Sequence, residues 1–69
     1  MKASTGETGI ASLRFLVVED HGFQRWAVGH ALQSLGAKSV FNAADGQTAL
    51  EMFKSADPPI DIVIIGRSA

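Results

Sequence analysis

The sequence predicts an α/β fold built on a small parallel sheet, and three features carry that prediction. Phe15-Leu16-Val17-Val18 and Ile60 to Ile65 are apolar runs, the second interrupted only by Asp61. Runs without polar alternation belong to strands covered on both faces, as in parallel sheets packed between helices. Between them, Gly22 to Leu35 places Phe23, Ala27, Val28, Ala31, Leu32 and Leu35 at helical spacing. The order strand, helix, strand, helix, strand demands right-handed crossovers. A three-stranded parallel sheet of order 2-1-3 follows, with the first strand central and one helix on each face.

Each element has its own local justification. Asp20 or His21 starts the first helix, since an aspartate side chain accepts orphan backbone N–H bonds, and Gly36 stops it because glycine fits the left-handed position after a helix. Lys38 to Ala43 has Val40 and Phe41 among polar Lys38, Ser39 and Asn42, which suits a short edge strand. Asp45-Gly46 also suits a hairpin turn, but Ala49, Leu50, Met52 and Phe53 recur at three and four rather than at two. A second helix is therefore expected, with Leu50 and Phe53 in the core. Asp57-Pro58-Pro59 breaks it, because proline lacks the N–H and restricts the residue before it. Ile60 to Ile65 is the third strand, rich in β-branched side chains.

At 69 residues there is room for one small domain. Residues 1–12, rich in Ser, Thr, Gly and Ala without periodicity, read as a flexible tail, leaving 13–69 to fold around a thin core. Six basic and seven acidic residues are scattered, for a net charge of −1, so nucleic acid finds no electrostatic footprint. No apolar run is long enough to span a bilayer and no secretory signal pattern opens the chain, so a cytoplasmic protein without membrane contact is expected. Without cysteine there are no disulfides and no thiol chemistry. His21 and His30 do not supply a structural zinc site in its place.

Two adjacent carboxylates, Glu19 and Asp20, follow the first strand. Ligands of open α/β sheets bind at the carboxyl ends of the strands, so this pair is placed to hold a divalent cation such as magnesium. Helix capping and solubility explain the same pair equally well.

Three segments together, Phe15-Leu16-Val17-Val18-Glu19-Asp20, Ala44-Asp45-Gly46-Gln47-Thr48-Ala49-Leu50 and Asp61-Ile62-Val63-Ile64-Ile65, resemble response-regulator receiver domains of two-component signalling. The resemblance spans roughly Leu13 to Arg67 and matches the first half of such a domain, a truncated flavodoxin-like fold. Within the family, Glu19-Asp20-His21 with Phe23-Gln24-Arg25 looks most like receivers attached to cyclic-di-GMP phosphodiesterase domains. The resemblance implies that Glu19 and Asp20 bind magnesium and that an aspartate ending the third strand accepts a phosphoryl group from a histidine kinase. That position is held by Gly66, which has no side chain to phosphorylate. A glycine there also serves as a plain strand-end bend. With two carboxylates in place of three, magnesium binds weakly, and Arg67 is a candidate internal counter-charge to the acid pair.

Trp26 lies off the apolar stripe of its helix, on the side shared by Arg25, Gly29, His30 and Gln33, and is read with His30 as a partner contact. His30 is expected at the surface, and His21 is read as an ordinary first-turn residue. After Ile65 only four residues remain, so no strand is encoded to lie beside Ile62 and Ile64, and the outer edge of the third strand should seek a protein partner or a second copy. Three functions are consistent with this reading. The chain is a degenerate receiver acting by protein contacts, with a histidine kinase or output domain as natural partners. Alternatively it is the N-terminal part of a longer regulator with a cyclic-di-GMP phosphodiesterase output, or a structural dimerisation module. In the first and third it is not an enzyme.

Overall fold

The computed structural model describes residues 9–66. Five main elements follow a 3-10 turn at Ile10–Ser12: β1 (Arg14–Val18), α1 (Gly22–Ser34), β2 (Ser39–Ala43), α2 (Gly46–Ser55) and β3 (Ile62–Ile65). The strands form one parallel sheet in the order β2-β1-β3. This is the α/β topology that the apolar runs predict. The 3-10 turn, held by Ser12 Oγ donating to the Gly9 carbonyl at 2.9 Å, occupies the end of the segment read as a tail. Register aligns Leu16 with Phe41 on one side and with Val63 on the other, which makes β1 the spine of the molecule.

α2 begins, and α1 ends, where local chemistry dictates. Asp45 caps α2, its Oδ1 accepting the Thr48 N–H at 2.7 Å. Gly36 closes α1 at φ +110, and the N–H groups of Gly36 and Ala37 donate to the Gln33 and Leu32 carbonyls in a Schellman arrangement. The cap of α1 itself is His21, with no side-chain bond to the helix.

The core lies mainly between α2 and the sheet. Leu16, Ala43, Ala49 and Ile60 are buried together, with Val18, Phe41, Met52 and Ala56 packed around them. Three sequence expectations are corrected by the structure. Leu50 and Phe53, expected inside, are half exposed, because α2 turns Ala49 and Met52 toward the sheet. On α1, Phe23 and Leu35 are 77% and 70% exposed, and Gly29 is the buried position, resting against Val40 and Asn42. A glycine lets two backbones approach, so α1 sits down on the sheet along its Gly29 side and rolls the Phe23 and Leu35 stripe outward. The third strand begins at Ile62 rather than Ile60. Asp61 is held outside it, its Oδ2 accepting the Arg14 N–H at 2.8 Å and its own N–H donating to the Arg14 carbonyl at 2.9 Å. Ile60 drops into the core instead of pairing.

β3 is also less covered than a doubly buried strand should be. The helices pack principally over β1 and β2. Ile62, Val63 and Ile65 are consequently exposed, and only Ile64 is half-buried.

The cap of α2 carries a pH signature. Asp45 is held below the usual aspartate range, chiefly by the backbone N–H of Thr48 and then by its side chain. A carboxylate with a depressed folded-state pKa stabilises the fold at pH values above its unfolded pKa of about 3.9, and that contribution is lost as pH falls through the folded value. Asp45→Asn is therefore expected to flatten the acid limb of α2 melting below about pH 4 while leaving the helix capped at neutral pH, as followed by far-UV circular dichroism.

Candidate acidic site at the carboxyl end of the sheet

Parallel strands deliver their following residues to one end of the sheet, and here β1, β2 and β3 deliver Glu19-Asp20, Ala44-Asp45 and Gly66. Glu19 is the centre of this group. Its N–H donates to the Ala43 carbonyl at 3.1 Å, which continues the ladder one residue past β1 and directs the side chain inward. The carboxylate is only 5% exposed. Its Oε2 accepts the His21 backbone N–H at 2.9 Å and lies 3.1 Å from the His21 ring Nδ1. The same Nδ1 is 3.1 Å from Asp20 Oδ1, so one ring nitrogen lies within hydrogen-bonding distance of both acids. Arg25 donates from Nη1 to the Glu19 carbonyl at 2.8 Å, tying the first turns of α1 to the strand end.

The Glu19 side chain fills the space that a side chain at position 66 would need. A Cβ built on Gly66 would overlap Glu19 Oε1 and come within 2.8 Å of its Cδ. No carbon approaches a carboxylate that closely, so the buried acid and a side chain at 66 exclude each other in this arrangement. Gly66 itself continues the pairing of β3, its N–H donating to the Val18 carbonyl at 2.8 Å.

His21 is the residue whose part the sequence reading missed. It caps α1 instead of lying inside its first turn, its ring closes on both acids, and one ligand atom from each of Glu19, Asp20 and His21 lies within 4.8 Å of the others. The signal was adjacency alone: a residue at the helix cap directly after two acids cannot point far from them. Chemically, two carboxylates and an imidazole can hold a divalent cation as part of its ligand set, with water completing it.

The remaining expected residues lie elsewhere. Asp61 is at the opposite, amino end of β3, bonded to Arg14. Trp26 is 61% exposed on α1, stacked between Phe23 at 6.0 Å and His30 at 5.0 Å, so the pair Trp26 and His30 does form one surface. Ile62 and Ile64 flank the open edge of β3. Arg67 lies outside the described residues. Beside the acidic group runs an open apolar groove of about 620 Å³, walled by Leu50 and Phe53 of α2 and by Val63 and Ile65 of β3. Among the described residues, no helix is long and apolar enough to cross a membrane.

No family model, no curated protein and no solved structure matches the chain.

Proposed function

We propose that this chain is a receiver-like module of phosphorelay signalling, of truncated flavodoxin-like form, that has lost phosphoryl acceptance at the usual position and acts through protein contacts. One observation supports the reading above all others: the buried Glu19 carboxylate occupies the space over Gly66, where the resemblance places the acceptor aspartate. An aspartyl phosphate needs a carboxylate nucleophile facing a cation that neutralises the incoming oxygens. Here an acid fills that volume and is already hydrogen-bonded to the His21 backbone N–H. Magnesium, where it binds, would be held weakly by Glu19 and Asp20.

The working surfaces are then the open edge of β3, with Ile62 and Ile64, and the exposed stack of Trp26 on Phe23 and His30. A contact-only module needs such surfaces, since it has no chemical state to report. The open strand edge also favours the simpler reading of a structural dimerisation module.

Incubation with acetyl phosphate and magnesium, followed by intact-mass measurement, separates these readings from an active receiver. The expected spectrum shows the unmodified mass alone. A phosphoryl adduct on Asp20 or Asp61 would sink the proposal.

A further inference from the structure

We infer that the open edge of β3 is a self-pairing surface, through which two copies of this chain join antiparallel about a two-fold axis passing through Ile64. The inference deepens the contact-module reading but is independent of the kinship with receivers. Gly66 donates its N–H to the Val18 carbonyl at 2.8 Å. Backbone groups in a parallel ladder alternate from one side of the strand to the other. Ile62, Ile64 and Gly66 therefore bond β1, and the N–H and C=O groups of Val63 and Ile65 face outward. β3 pairs with β1 alone among the described strands. Such an edge accepts one kind of occupant, an extended backbone.

Symmetry and the neighbouring residues then select the occupant and its register. Residues directly opposite in an antiparallel pair point to the same face of the sheet, so a two-fold axis must pass through a residue of β3. An axis through Val63 would set Ile65 against Asp61, whose N–H is already given to Arg14 and whose side chain is charged. With the axis through Ile64, Val63 of each copy instead exchanges both backbone bonds with Ile65 of the other. Apolar residues then face apolar residues on the groove side, and Ile64 meets Ile64 across the axis. No charged side chain or proline lies within Ile62–Ile65 to discourage this, although edge strands ordinarily carry such protection.

The surface available is sufficient for a small interface. Ile65, Val63 and Ile62 are 69%, 41% and 37% exposed, and Leu50 and Phe53, half exposed, wall the groove on the same face as Val63 and Ile65. Over two copies these side chains pool at most roughly 800 Å² of exposed apolar surface, below the ~1,000 Å² of a stable specific interface and in the range of a weak, reversible pair. Pairing also makes the two grooves continuous across the axis.

The absence of native cysteine makes the register directly readable. In the inferred pair, Ile64 meets its own copy at a non-hydrogen-bonded position, with Cα atoms about 4.5 Å apart, within disulfide range. Val63 is diagonal to Val63 of the second copy, about 7–8 Å away, which is beyond it. Under mild oxidation the full chain carrying Ile64→Cys should become a disulfide dimer, whereas Val63→Cys alone should not. A mixture of Val63→Cys and Ile65→Cys chains should cross-link to each other. Ile65→Lys, with circular dichroism unchanged, should weaken dimerisation at least tenfold by light scattering. A wild-type monomer at 100 µM (~100 µM being well above a micromolar Kd) would overturn the inference. So would equal self-cross-linking of Val63→Cys and Ile64→Cys, or a dimer unaffected by Ile65→Lys. An acetyl-phosphate adduct would overturn the degenerate-receiver reading while leaving the pairing untouched.

Discussion

Leu16→Ala is expected to leave the chain with little or no cooperative unfolding transition at 25 °C. Leu16 is 1% exposed at the centre of the middle strand, packed with Ala43, Ala49 and Ile60. Truncating a buried leucine removes transfer free energy and leaves a cavity, at a cost of about 2–5 kcal/mol. At roughly 0.05–0.15 kcal/mol per residue, a domain of this size holds only about 3–9 kcal/mol in total. One substitution therefore takes most of it, because three of the four residues in the cluster are alanine or a single isoleucine and cannot collapse into the void. Leu50→Ala is the matching control. Half exposed on the groove wall, it should cost well under ~1 kcal/mol by urea titration. A Leu50→Ala variant as unstable as Leu16→Ala would place the core on the wrong side of α2.

Gly66→Ala should destabilise by about 1–3 kcal/mol, the range for hydrogen bonds lost from a buried charged group. Gly66 is exposed, and alanine at an exposed strand end is ordinarily close to neutral. The cost arises entirely at Glu19, whose Oε1 and Cδ stand where the new methyl must go. Its side chain can swing away, since the clash is with its far end, but doing so surrenders the His21 N–H at 2.9 Å and the ring contact at 3.1 Å. A double-mutant cycle isolates the effect. In a Glu19→Ala background, Gly66→Ala should be nearly free, giving a coupling of at least ~1 kcal/mol where independent sites add within about 0.5 kcal/mol. Strict additivity would mean that Glu19 does not occupy that space in solution.

These two residues show how unevenly the sequence reveals its fold. The strands, helices and their punctuation follow from neighbours along the chain: the apolar runs, Asp45 at its cap, Gly36 at its left-handed turn. Strand order 2-1-3 follows as well, because right-handed crossovers leave few alternatives for such a chain. The acid pair could be placed at the carboxyl end of the sheet for the same reason.

What a side chain faces is a different kind of information. Helical periodicity marks an apolar stripe on α1 but not the roll of the helix on its sheet, and close contact at Gly29 turns Phe23 and Leu35 out. Leu50 and Phe53 share a helix with Ala49 and Met52, and only the position of α2 over β1 and β2 decides which pair is covered. Asp61, the polar residue in an apolar run, leaves the strand because Arg14 offers it both a donor and an acceptor, a partner 47 residues away in the chain.

Local patterns along the chain set a parallel three-stranded α/β sheet with a paired acid after its first strand and a residue without a side chain after its third. Tertiary structure alone decided that Glu19 turns inward over Gly66, that His21 closes on both acids, and that β3 keeps one edge and much of both faces open. The division has a physical cause: hydrogen-bond periodicity and caps are local along the backbone, whereas occupancy of a given volume depends on atoms brought together only when the strands align.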